Sequence, residues 1–155
     1  MNTQMPSNDH MRTDIKNYDD IEVVIRTFYT RLLPDPIIGF FFTDIARIDL
    51  PAHIPKIARF WEFQLFGVRN YRGNVYEVHR DLHQQAAMTA DHFHRWVFVL
   101  HQSIDELFAG PNAELMKTRA AMIAEKMAQA LAGNATGIEL LEGVRIVEPP
   151  GGKSA

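Results

Sequence analysis

The 155-residue chain contains no cysteine. That excludes disulfides, thiolate catalysis, cysteine-type zinc sites and any cofactor attached through thioether bonds. It fits a reducing, cytoplasmic setting. Charge of one sign is also scarce in excess: 16 Lys and Arg stand against 19 Asp and Glu, a net charge of −3. Nucleic-acid binding needs surplus cations to neutralise phosphates, so no nucleic-acid partner is expected. No apolar run reaches the roughly 18 residues that span a bilayer, so no membrane partner is expected. The opening segment MNTQMPSNDHMRTD lacks the apolar stretch of a signal peptide. The motifs GxGxxG, the Walker-type phosphate loop, HExxH and GxSxG are all absent.

What remains is helix, aromatic rings and histidine. The length suits one domain with a real core. Residues 1–17 are polar and aperiodic and read as a flexible N-terminal arm. The ordered body is expected over 18–133. Residues 134–155 carry several glycines and a proline pair and read as a mostly disordered tail. Within it, Ile138, Leu140, Leu141, Val144, Ile146 and Val147 are apolar enough to dock.

The first helix is expected to open at Asp19, with Glu22 completing a capping-box-like start. Ile21, Val24, Ile25, Phe28 and Leu32 then recur at helical spacing, and Pro34-Asp35-Pro36 ends the run. A short helical turn over Ile37 to Phe42 follows. A second long helix starts near Pro51, with Ile54, Ile57, Ala58, Trp61, Leu65 and Phe66 as its stripe and Gly67 as its stop. Pro55 falls early in it and removes a hydrogen bond. Thr89 is a good N-cap for a third, whose inner face is Phe93, Trp96, Val97, Leu100, Ile104, Leu107 and Phe108. The fourth runs from about Asn112 to Leu131, with Leu115, Met122, Ile123, Met127 and Leu131 inward and Gly133 as C-cap. No stretch alternates with period two, so the class is all-α.

The histidines carry what chemical signal there is. His79 lies in YRGNVYEVHRDL, residues 71–82, between two long helical patterns. His53 lies on the preceding helical pattern, which also bears Phe60-Trp61. Histidines on facing elements among many aromatics suggest an apolar pocket. His79 and His83 are four apart and, with His92, His94 and His101, offer nitrogen for zinc. No second ligand set of fixed spacing supports that reading. His83, His94 and His101 read as solvated surface residues, and His92, close to Thr89, as helix-start polarity. Tyr29 and Trp96, taken singly, read as core aromatics whose polar atoms need partners.

Taken together, the residues resemble the truncated haemoglobins, and their group III branch in particular. The likeness runs through FYTRLLPDPIIGFFF (28–42), HIPKIARFW (53–61), FGVRNYRGNVYEVHRDL (66–82) and HFHRWVFVLHQSIDELF (92–108), over about residues 18–131. The Gly-Gly motifs of the other truncated groups are missing, as in group III. The resemblance implies a shortened helical sandwich around haem b, with His79 as the proximal iron ligand. It implies Tyr29, His53 and Trp96 as distal hydrogen-bond donors. Phe42 matches an aromatic on the haem face, Ile57 the distal wall, and Phe93 the packing near His79. Lys56, Arg69, Arg72 and Arg80 are candidates to pair with the haem propionates. The chain departs from the family pattern in DLHQQAAMTADH after His79 and in Pro55 beside His53. The function implied is reversible binding of O2 and other diatomic ligands, NO and CO. An alternative is a haem enzyme for NO dioxygenation or peroxide chemistry, served by a separate reductase. An alternative of another class is a cofactor-free helical interaction domain.

Overall fold

The structure, a computed structural model, describes residues 12–71 and 75–132, with the backbone alone at 75–77 and 80. The expected tail at 134–155 and the first eleven residues of the expected arm lie outside it. Among the described residues there are five α-helices, α1 (Tyr18–Leu32), α2 (Leu50–Phe66), α3 (Val75–Gln85), α4 (Ala90–Leu107) and α5 (Pro111–Leu131), and a π-helical turn at Phe41–Ile45. α1 packs on α2 and α4; α4 packs on α5; α5 also touches α2 and α3; α3 leans on the π turn. Among the described residues no helix is long and apolar enough to cross a membrane.

The stripe expected on α1 is buried in full, with Tyr29 added to it. Its start differs from expectation. Asn17, in an extended conformation, accepts a hydrogen bond from the Asp20 N–H at 3.0 Å and is the N-cap. Asp19 therefore does not cap, and Glu22 pairs with Arg26 one turn on. Residues 12–17 are not loose either. Ile15 is fully buried, and the Asp14 carboxylate accepts from the backbone N–H of Asn112 (2.9 Å) and Ala113 (2.9 Å). Those are orphan donors at the start of α5, where a negative charge also complements the helix dipole. The α5 helix thus takes its cap from a residue almost a hundred positions away.

The inner face of α5 also departs from expectation. Its buried residues are Ala113, Met116, Ala120, Ile123, Ala124, Met127 and Ala130, whereas Met122 is 38% exposed. The large apolar residues mislead here, because alanines form much of the stripe and let neighbouring helices approach. Gly133 lies outside the described residues. At the other helices, Thr89 caps α4 in a reciprocal box with His92, and Gly67, with φ 71°, ends α2. The segment around His79 is a helix of three turns.

The connection from α1 to the π turn is tightly held. Asp35 is buried; its Oδ1 accepts from the N–H groups of Ile37 (2.9 Å) and Ile38 (3.2 Å). Its Oδ2 accepts from Arg95 Nε (2.8 Å) and Nη2 (2.7 Å) on α4. Burial pushes this carboxyl up, but Arg95 and the two amides outweigh it and hold the pKa below the ordinary aspartate value. Gly39 follows, where a Cβ would sit 2.3 Å from the Leu33 carbonyl oxygen and 2.7 Å from that of Asp35. Only glycine allows so close an approach.

Two outcomes are expected. Asp35→Ala should lower the unfolding free energy by about 2–3 kcal/mol, since it orphans two amides and a guanidinium that is still partly solvated. Chemical denaturation checks this, and a loss under 0.5 kcal/mol would contradict it. Because the carboxyl is held low, its contribution is complete near neutral pH and fades as pH falls through the folded-state pKa. The unfolding free energy of Asp35→Asn, measured by chemical denaturation across the acid range, should accordingly fall less steeply with pH than that of the wild type.

Candidate functional site

A cavity of about 230 Å³ runs through the core between the helices. A single buried water needs only about 10–15 Å³ by this kind of measure. Protein interiors are close-packed, so a cavity of this size is far larger than an ordinary packing defect. Its walls are mostly apolar and aromatic, and the few polar groups on them are confined to specific points.

One such point is the α1–α2 wall. Tyr29 is 3% exposed, and its hydroxyl lies 2.7 Å from Nε2 of His53, in hydrogen-bond contact. The two rings meet edge to face, with centroids 5.1 Å apart. Phe28 and Phe42 pack edge-on against the same tyrosine. Burial raises the Tyr29 phenol pKa far above its ordinary value, so the hydroxyl keeps its proton. Burial lowers the His53 pKa, and the charges of Lys56 and His79 lower it further. A protonated phenol therefore faces a neutral imidazole. The placement follows from two helical registers: Tyr29 is one turn before the end of α1, and His53 falls in the first turn of α2, beside Pro55.

A second polar point is the α3 wall. His79 lines the cavity, and its ring lies 6.2 Å, centroid to centroid, from that of Phe93 on α4. Trp96, one turn beyond Phe93, lines the cavity and packs edge-on against Phe28. Phe42, Lys56 and Ile57 line it too. Eight residues singled out from the sequence, Tyr29, Phe42, His53, Lys56, Ile57, His79, Phe93 and Trp96, are thus brought to one cavity. Arg69 is exposed and not on its walls. Arg72 lies outside the described residues, as does the side chain of Arg80.

The sequence reading missed other wall residues. Tyr71 lines the cavity and packs edge-on against Phe60 at 5.3 Å. Its only sequence signal is an aromatic residue in an otherwise polar connection. His92 does shape the start of α4, as expected: its Nδ1 accepts from the Thr89 N–H at 3.0 Å. It also lines the cavity, edge-on to Phe41 at 4.9 Å. Two histidines expected to be solvated have structural partners instead. His83 Nδ1 accepts from the Met88 N–H at 3.0 Å, and His101 Nε2 donates to the Lys117 carbonyl at 2.9 Å. His94 is exposed. Among the described residues no three His, Asp or Glu converge as a metal site, which leaves the zinc alternative without a ligand set.

The lowered His53 pKa sets a pH dependence. In the folded protein the neutral ring is favoured, so the unfolded chain takes up this proton first as pH falls below about 6.5. Stability tied to His53 is complete above that pH and declines below it. Urea unfolding between pH 7.5 and 5.5 should show a steeper loss for the wild type than for His53→Gln. Equal slopes would contradict the buried, neutral assignment.

No family model matches the chain, and no curated protein matches it by sequence. Among solved structures it is similar to the crystal structure of a group III truncated hemoglobin from Campylobacter jejuni. The two share 24% sequence identity and superpose with a TM-score of 0.70, over 81% of this chain and 98% of that one. At this identity the match speaks for architecture. With the five helices and the cavity between them, it establishes that the chain has the truncated globin fold.

Proposed function

We propose that the protein is a haem-binding globin of the group III truncated type that reversibly binds O2 and other diatomic ligands, NO and CO. The observation that carries this reading is one apolar cavity with His79 on its α3 wall and the Tyr29–His53 pair on its α1–α2 wall.

The residues fit a haem. A flat, largely apolar ring system needs aromatic and aliphatic walls, a nitrogen donor for iron, and cations near its carboxylates. Phe42, Ile57 and Phe93 are wall residues, His79 is the nitrogen donor, and exposed Lys56 stands at the cavity margin. Without cysteine no thioether bond can form, which fits a b-type haem held non-covalently. The same cysteine-free composition underlies the cytoplasmic setting we propose.

When bound, haem supplies an iron that takes a diatomic ligand and polarises it. This chain supplies the rest. Tyr29 keeps its proton across the physiological range and so remains a donor. His53, neutral and 2.7 Å from that hydroxyl, holds its orientation. A hydroxyl both accepts and donates, so Tyr29 can keep its bond to His53 while donating to a ligand. Trp96 adds an indole N–H, which is donor-only, on the α4 side. The apolar walls exclude water and so strengthen each of these bonds.

A hydrogen bond to a charged or strongly polarised acceptor is worth about 1.5–3 kcal/mol. At tenfold per ~1.4 kcal/mol, Tyr29→Phe should therefore speed O2 dissociation roughly 10- to 100-fold. Stopped-flow mixing of the oxygenated protein with dithionite and CO measures the rate. A change within twofold would remove Tyr29 from the role of principal donor. Trp96→Phe should give a smaller increase in the same assay.

A further inference from the structure

His92 differs from the other cavity residues in that one ring nitrogen is engaged and the other is unpaired. Nδ1 accepts from the Thr89 N–H at 3.0 Å in the reciprocal box that starts α4, and the Thr89 hydroxyl lies 3.2 Å from the same atom. A ring nitrogen that accepts carries no proton, so in the neutral ring the proton sits on Nε2. The helix start thus fixes the tautomer and holds one edge of the imidazole in place. Nε2, across the ring, has no hydrogen-bond partner among the described residues. The cap alone does not call for this nitrogen, since Glu or Gln is the usual third residue of such a box. Histidine adds a rigid ring that reaches the cavity and ends in an N–H donor.

The ring lies at the rim of the cavity. It meets both Phe41, fully buried, with centroids 4.9 Å apart, and Phe40, 36% exposed, at 6.1 Å. His92 itself is half-buried. A carboxylate suits such a place, because it keeps part of its hydration while accepting a charge-assisted bond. Cations that could hold a carboxylate are few. Among the described residues, Lys56 on α2 is the one Lys or Arg on the cavity wall. A haem carries two carboxylates, so Lys56 leaves one of them to another donor.

We propose that His92 binds a carboxylate of the guest through Nε2–H. The proposal rests on the haem reading of the cavity and gives one propionate an anchor on α4, apart from Lys56 on α2. Because Thr89 already sets the tautomer and the ring, the bond forms with little further loss of side-chain freedom. His92 would then select for a guest that presents an acid at the rim, in addition to the shape that the apolar walls select.

The test compares two guests in the full-length protein: hemin, and hemin dimethyl ester, whose carboxylates are blocked. The loaded protein is mixed with an excess of a scavenging apoglobin, and the rate of porphyrin loss is read from the Soret absorption. His92→Glu keeps an acceptor for the Thr89 N–H and replaces the donor with a negative charge. His92→Phe keeps a ring against Phe41 and removes both nitrogens; any cost of the lost cap falls on both guests alike. Both variants should lose hemin about tenfold faster than the wild type, the size of a charge-assisted bond in partly solvated surroundings. The Glu variant should be the faster, and loss of the dimethyl ester should stay within twofold of the wild type. Acceleration of both guests by one factor assigns His92 to packing and overturns the proposal, as does hemin loss at the wild-type rate. Faster O2 dissociation in His92→Phe, with both guests held as in the wild type, places the donor on the diatomic ligand and overturns it too. A wild-type protein that takes up neither porphyrin overturns the haem reading itself, and the proposal falls with it.

Discussion

One buried carboxylate organises this molecule. Asp35 lies just after α1, accepts from two amides of the turn that follows, and is clamped by Arg95 of α4. Three things depend on that clamp: the position of the α1 C-terminal turn, where Tyr29 sits; the path of the chain through Gly39, which no larger residue can follow; and the seating of Phe41 and Phe42, which wall the cavity. Arg95 itself is adjacent to Trp96, so the same contact fixes the cavity side of α4. A buried ion pair contributes little net stability against an apolar replacement of similar shape. What it contributes here is a specific geometry for elements that would otherwise be joined by a flexible connection.

The geometry matters because the cavity combines two demands that conflict. Apolar walls favour an apolar guest, and they penalise any polar group that lacks a partner. The Tyr29–His53 pair resolves the conflict locally. Each is the other's hydrogen-bond partner, so both can be buried without loss, and both stay uncharged at neutral pH. The pair is therefore stable in an apolar wall and still able to donate to a polarised ligand. His79 sits on a different element, α3, which packs, among the described residues, against α5 and the π turn. The Tyr29–His53 pair and His79 are thus carried by separate parts of the fold.

Four of the five helices and much of the cavity wall were legible in the sequence because they rest on period-3.6 patterns of large apolar residues, as on α1, and on strong punctuation, as at Thr89 and Gly67; α3 was not, since its run is short and largely polar. The roles implied for Tyr29, His53, Trp96 and His79 came from a family resemblance and not from spacing. What was illegible has specific physical causes. Asp14 caps a helix nearly a hundred residues away, and Asn17 takes the cap that Asp19 seemed to offer; local sequence carries neither. The inner face of α5 is built largely from alanine, which has too little hydrophobic contrast to outvote Met122. His83 and His101 read as surface residues because their partners are backbone groups, one five residues on and the other on a neighbouring helix. Tyr71 reaches the cavity from a polar connection with no periodicity at all.

The most direct test of the central claim is a hemin titration of the purified protein followed through its Soret absorption, with reduction and CO addition at the end point. The account predicts saturation at equimolar hemin, a sharp Soret band that moves on CO binding, and loss or marked weakening of binding in His79→Ala. A protein that never develops a stoichiometric Soret band, or one whose His79→Ala variant binds hemin and CO unchanged, would contradict it.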